Sequence, residues 1–234
     1  MKNSSDKKTL ENFEFILVHP KTPENIGLVC RVLKNFGFSN LKIVGSIDKK
    51  RAQITSRKGI EILKKAQFFE SLEEALKDAN LVVGTSRRKR DLIFTFELKE
   101  VLRLLFYQAR RGRVCVIFGR EDTGLREDEI ELCDFAIKIN AHPSFDSLNL
   151  SHSVAIMCYE LYNFYRTAYT IPKLNLAKRN EIEDLYKILE TLFPKLELKP
   201  QTVRIFKRIF KRSGLTKTEV NVLKLCFLRM LEKI

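Results

Sequence analysis

Between residues 13 and 165, short apolar runs alternate with stretches whose apolar positions recur every three or four residues. Apolar runs of that length suit strands buried on both faces, and a 3.6-residue period suits helices laid over them. The pattern predicts strands at Phe13–Val18, Leu41–Val44, Gln67–Glu70, Leu81–Thr85, Val114–Phe118 and Phe135–Ile139, with helices in the gaps. The expected fold class is α/β: a mostly parallel sheet flanked by helices. In the first gap Ile26, Val29, Cys30, Leu33 and Phe36 mark one face of a helix over Asn25–Asn35, which Gly37 ends. Ser71, three residues before Glu74, signs a capping box for the helix SLEEALKDA. Leu150, Val154, Met157, Cys158, Leu161 and Tyr165 put one apolar face on a later helix.

Beyond Tyr165 the alternation stops. AYTIPKLNLAKRN reads as a linker, and the remaining residues show helical patterns only. The expected organisation is an α/β domain over 1–166, a linker over 167–176 and a small basic helical domain over 177–234. In VRIFKRIFKR, Val203, Phe206, Ile209 and Phe210 alternate with Arg204, Lys207, Arg208, Lys211 and Arg212, a basic amphipathic helix. An RNA-facing helix, a membrane-surface helix and a plain surface helix all fit that pattern. The first is favoured, because a second patterned helix from Lys217 to Lys233 is placed to pack on it. Two such helices bury little area, so this module is expected to lean on the main domain or on a partner.

Charge sharpens the picture. The 43 basic and 29 acidic side chains leave +14, and residues 168–234 hold 15 of the former against 7 of the latter. Such an excess points to a polyanionic partner. Further cations cluster at Arg87, Arg88, Lys89 and Arg90 and at Arg110, Arg111 and Arg113. No apolar run approaches the roughly 20 residues that cross a bilayer, and the first residues lack a secretory apolar stretch. A cytoplasmic protein with no membrane contact is expected. The five cysteines are scattered without a C-x-x-C pair, and the three histidines have no ligand-like spacing, so reduced core thiols and no metal are expected.

Three loops that come after strands stand out: GTSRRKR (84–90), GREDTGL (119–125) and NAHPSFDSLNLS (140–151). In an open parallel sheet, ligands collect where loops leave the carboxyl ends of strands. Gly119 and Gly124 have the spacing of a phosphate-binding loop, but Leu125 and Arg126 stand where that motif needs Lys and Ser or Thr. A nucleoside triphosphatase is therefore not expected. Ser147 and Asn149 sit where a helix begins, and either serves equally as a helix cap.

Taken together, TPENIGLVCRVLKNFGF (22–38), LVVGTSRRKR, VIFGREDTGL and SLNLSHSVAIMCYEL resemble the SPOUT superfamily of RNA methyltransferases. Within its TrmH family they resemble the TrmJ-type tRNA ribose 2′-O-methyltransferases. The likeness runs in register from about Phe13 to Tyr165, and the trailing helices resemble that group's carboxyl-terminal extension. It implies a trefoil knot at the carboxyl end of the sheet, S-adenosylmethionine as methyl donor, tRNA as partner and a homodimer whose active sites combine both subunits. By resemblance Thr85, Ser86, Arg87, Gly119, Ile139, Ser147 and Leu148 hold the donor, and Asn25, Arg31, Glu121, Ser147 and Asn149 form the catalytic set. Arg88, Arg90 and Arg120, with the five cations of the amphipathic helix, are the expected RNA contacts. His19, Glu24 and Ser151-His152-Ser153 depart from the family's usual residues. Adjacent helical residues point about 100° apart, so Ser151 and His152 make no nucleophile–base pair.

Arg31 lies six positions after Asn25, about 240° round a helix, so the two do not share a face unless Asn25 lies at the helix start. A guanidinium with a pKa above about 12 cannot serve as a base near neutrality. Arg31 is expected to bind a phosphate and the ribose oxygen. The implied function is 2′-O-methylation of tRNA at the pyrimidine in position 32 of the anticodon loop. The alternatives are the same chemistry on rRNA or another tRNA position, and a knotted RNA binder without catalysis.

Overall fold

The computed structural model describes residues 9–87, 93–167 and 176–233. The chain divides into two compact units, Met1–Thr170 and Ile171–Ile234.

In the first unit the strands are β1 (Phe13–Val18), β2 (Asn40–Val44), β3 (Gln67–Phe69), β4 (Ala79–Thr85), β5 (Thr95–Glu97), β6 (Arg113–Phe118) and β7 (Phe135–Lys138). They form one sheet in the order β3-β2-β1-β6-β4-β7-β5, with every adjacent pair parallel. Parallel strands need crossovers, and most of them run through helices: α1 (Pro23–Asn35), α2 (Lys49–Ser56), a 3₁₀ turn (Arg57–Gly59), α3 (Ile60–Lys65), α4 (Leu72–Ala75), α5 (Leu98–Ala109) and α6 (Glu127–Glu131); α7 (Leu150–Arg166) follows the last strand. All six residues of β1 are buried, as a strand covered on both faces requires. Phe13 and Phe15 pack edge-on against Phe38 on one face, with ring centroids 5.9 and 5.1 Å apart. Ile16 and Val18 turn to the other, where Leu72, Ala75, Ile130 and Cys133 close a second core.

Helix starts obey local chemistry. Pro23 opens α1, Ser71 Oγ accepts from Glu74 N–H at 3.2 Å, and Asn149 Oδ1 accepts from Ser151 N–H at 2.8 Å at the head of α7. Each predicted strand is present within two residues at either end. The sequence pattern does not show β5, a three-residue edge strand paired only with β7.

Among its described residues the second unit holds three helices, α8 (Arg179–Lys195), α9 (Pro200–Ser213) and α10 (Lys217–Leu231). The last two match the patterned helices of the sequence. The third, α8, supplies Ile182, Leu185, Tyr186, Leu189, Leu192 and Phe193 to a core that Phe210 and Val220 complete, so the unit has a buried centre of its own. Tyr186 donates its hydroxyl to the Lys207 carbonyl at 2.6 Å, tying α8 to α9.

Candidate functional site

Strands β6, β4 and β7 lie side by side, so the loops leaving their carboxyl ends converge. They enclose a cavity of about 480 Å³, within the size range of small-molecule sites. Thr85, Ser86 and Arg87 after β4, Gly119 after β6, and Ile139, Ser147 and Leu148 after β7 all line it. Ile137, Asp146, Leu150 and Ser153 line it too. These four carry no functional signal in the sequence, although Leu150 and Ser153 fall within the stretch SLNLSHS.

Backbone geometry explains the glycines. Residues 119–125 form a tight loop closed by Gly124 N–H to the Arg120 carbonyl at 2.9 Å and Arg120 N–H to the Gly124 carbonyl at 3.2 Å. A Cβ on Gly119 would lie 2.1 Å from the Gly124 carbonyl carbon, so the loop closes only without one. Gly124 has φ +70°, the left-handed region that glycine tolerates. Thr85 Oγ1 donates to the Ile117 carbonyl at 2.9 Å and so joins the ends of β4 and β6. Arg87 forms an ion pair with Asp146 at 3.2 Å across the mouth.

A polar relay adjoins the cavity. Glu121 accepts from Lys21 N–H at 2.9 Å, Thr22 N–H at 3.0 Å and Asn25 Nδ2 at 3.0 Å. Asn25 Oδ1 accepts in turn from Asn149 Nδ2 at 3.0 Å, and Asn149 Oδ1 from Ser151 Oγ at 2.7 Å. Burial works against ionising Glu121, but the hydrogen bonds from Lys21, Asn25 and Thr22 outweigh it and hold the carboxyl below its usual range. Lys21 also pairs with Asp122, a second tie between this loop and the one after β1.

The structure thus brings Asn25, Glu121 and Asn149 into one network and seats Ser147 in the cavity wall. Asn25 is buried in the first turn of α1. Arg31 lies further along that helix, exposed, and neither lines the cavity nor meets any described residue through its side chain. Ser151 is buried while the neighbouring His152 is exposed, which separates the two as the 100° rule requires. Glu24 pairs with Arg51 at 2.6 Å, and His19, with φ +47°, lines a separate smaller cavity.

Arg120 is committed elsewhere than the sequence suggested. Its guanidinium grips both oxygens of Glu129 at 3.0 Å and the side chain is 12% exposed, so it turns inward to brace α6 and is not held out to solvent. Burial again opposes ionisation of Glu129, and Arg120 with the Arg126 N–H brings its carboxyl below the usual range. On α9, Arg204 is exposed and Lys207, Arg208 and Arg212 are half-buried; Arg88, Arg90 and the Lys211 side chain lie outside the described residues. Among the described residues no group of three or more His, Cys, Asp or Glu could hold a metal ion, and no helix is long and apolar enough to cross a membrane. Cys30, Cys115, Cys133 and Cys158 are buried and Cys226 is exposed. Burial pushes the Cys30 thiol up to about 12, which keeps it protonated and unreactive.

Residues 12–159 match the model of the SpoU rRNA Methylase family. The tRNA (cytidine-2′-O-)-methyltransferase TrmJ of Methanocaldococcus jannaschii is 33% identical over 227 residues, 91% of this chain and 96% of that protein. The tRNA (cytidine/uridine-2′-O-)-methyltransferase TrmJ of Pectobacterium atrosepticum is 31% identical, covering 92% and 95%. The crystal structure of TrmJ from Z. mobilis ZM4 superposes with a TM-score of 0.70 at 25% identity, covering 93% of this chain and 98% of that one.

Proposed function

The chain belongs to the SpoU rRNA Methylase family, and from that premise we propose that it methylates a ribose 2′-hydroxyl of tRNA, at the pyrimidine in position 32 of the anticodon loop. Its class is RNA 2′-O-methyltransferase, with S-adenosylmethionine as the methyl donor. The observation that carries the reading is the adjacency of a glycine-lined cavity and the Glu121–Asn25–Asn149 relay. Transfer to tRNA is favoured over rRNA because the relatives named as tRNA enzymes align over 91% and 92% of the chain. Those alignments extend past residue 159, where the family match ends, and take in helices of the second unit.

The residues present fit that donor. The cavity pairs apolar wall residues Ile137, Ile139 and Leu148 with hydroxyls of Thr85, Ser86 and Ser147, and Gly119 lets backbone approach where a Cβ would collide. When bound, S-adenosylmethionine supplies an electrophilic methyl group on a positively charged sulfur. Leu148 and the isoleucines hold the apolar part of the donor out of water, while backbone N–H and C=O groups select its polar edge. Glu121 stays ionised and locks Asn25 and Asn149 in one orientation, so the relay presents a fixed surface beside the reacting centre. Ser147 and Asn149 orient the incoming nucleotide.

Arg31 remains positively charged throughout. It binds a phosphate and the ribose 2′-oxygen, stabilising the negative charge that grows there as the proton leaves for that phosphate or for water. A well-placed donor of this kind contributes about 3 kcal/mol, and alignment of oxygen with methyl several more. Because Arg31 lies off the cavity wall, the reading includes a homodimer in which a second copy brings this residue to the cavity. It also includes a trefoil knot in the chain path around the three loops, and a second unit whose cations grip the tRNA body.

The test incubates the full chain with labelled S-adenosylmethionine and either total tRNA or rRNA, then maps alkali-resistant linkages. Label at position 32 of tRNA is expected. Label confined to rRNA would overturn the tRNA assignment.

A further inference from the structure

We infer that the surface made by α2, the 3₁₀ turn and α3 is a phosphate track for the RNA substrate, continuous with Arg31; the inference rests on the RNA methyltransferase reading. Residues 48–65 carry seven Lys and Arg against two acidic residues. Arg51 is neutralised by Glu24, and Lys49 lies over the Phe68 ring, 4.0 Å from its centroid. The other five, Lys50, Arg57, Lys58, Lys64 and Lys65, are exposed, and none of their side chains makes a hydrogen bond, ion pair or ring contact with a described residue. A cationic face built for solubility alone usually carries interspersed acids. This one leaves its cations unpaired, which suits a polyanion.

Packing fixes the track to the site. A Cβ on Gly27 of α1 would lie 2.0 Å from Thr55 Oγ1 and 2.4 Å from the Ala52 carbonyl of α2. A Cβ on Gly59 would lie 2.7 Å from the backbone nitrogen of Arg31. The turn therefore rests directly on the Arg31 backbone through Gly59, and its first two residues, Arg57 and Lys58, are cations. Arg57 has φ +40° and ψ −113°, a backbone state that favours glycine. An arginine held there, beside the proposed catalytic cation, marks a place where charge outranks backbone comfort. Exposed Ile54 and partly exposed Phe68 add apolar surface beside these cations.

The test uses the full-length double variant Arg57→Gly/Lys58→Gln. Glycine suits the backbone at 57, so the melting temperature and the affinity for S-adenosylmethionine should match or exceed the wild type's. Affinity for a labelled tRNA transcript, measured by fluorescence anisotropy between about 50 and 200 mM salt, should fall about fivefold or more. The slope of log affinity against log salt should shrink by about one to two. Adding Lys50→Gln and Lys65→Gln should deepen both effects. Unchanged affinity and slope in a folded variant would overturn the track, as would wild-type binding to anionic lipid vesicles, but not to tRNA, that the same changes abolish. Since the readout is binding, a wild type that shows this dependence on tRNA yet methylates only rRNA would sink the tRNA assignment and leave the track standing.

Discussion

Asn25 and Glu121 lie 96 positions apart in the chain, yet Asn25 Nδ2 donates to Glu121 Oε1 at 3.0 Å. An ionised carboxylate only accepts, so the Asn25 amide must face it nitrogen-first and turn its oxygen to Asn149. That in turn leaves the Asn149 oxygen for Ser151. One negative charge in the loop after β6 thereby sets the direction of three side chains, Asn25, Asn149 and Ser151, at the heads of α1 and α7.

Asn25→Asp should therefore be worse than Asn25→Ala. The alanine removes a link; the aspartate sets a second carboxylate against Glu121 and reverses the required polarity. Methyl transfer measured at saturating donor should fall about tenfold or more in the alanine variant and further in the aspartate. Equal rates for the two would show that the direction of the relay does not matter.

Glu121→Gln gives the pH signature. The carboxyl sits below its ordinary value of 4.5 when folded, so its stabilisation is complete above that value and disappears as pH falls through the lowered one. The melting-temperature gap between wild type and variant should be full at pH 7 and close in acid. A gap that widens in acid would contradict the geometry.

Gly119→Ala tests the loop after β6. The added methyl would meet the Gly124 backbone at 2.1 Å, and backbone cannot swing aside as a flexible side chain can. A loss of about 1–3 kcal/mol in stability and at least about tenfold in donor affinity is expected, read by thermal melting and calorimetry. Gly124→Ala has open space for its methyl but a φ of +70°, so its cost should come from strain alone.

Most of the sheet is legible in the sequence because its strands are apolar runs long enough to show, and the long helices α1, α5 and α7 carry a 3.6-residue period. Thr95–Glu97 escapes because three residues display no period. Helix α8 is legible in principle, since Ile182, Leu185, Tyr186, Leu189 and Leu192 repeat at helical spacing, but Pro194 near its end and the louder charge of α9 mask it. The cavity residues are marked by family resemblance, and the structure collects them in one wall. The partners of Asn25 and Arg120 have no sequence signal, because a contact between residues 25 and 121, or the choice of Glu129 over solvent, exists only once the chain has folded.

In the second unit, Arg204→Gln/Arg208→Gln should weaken tRNA binding and flatten its salt dependence while leaving donor affinity unchanged. Tyr186→Phe should do neither directly, but should lower the melting temperature by freeing the Lys207 carbonyl from its 2.6 Å hydrogen bond. Full tRNA affinity in the arginine variant would remove this unit from the RNA interface.

The central division of labour assigns the donor to the cavity and the ribose to Arg31. Arg31→Ala, assayed for methyl transfer to tRNA at saturating S-adenosylmethionine alongside calorimetric donor binding, separates the two. The account predicts transfer reduced about a hundredfold or more with donor affinity within about twofold of wild type. A variant that retains most of its transfer rate, or that loses donor binding along with it, would contradict it.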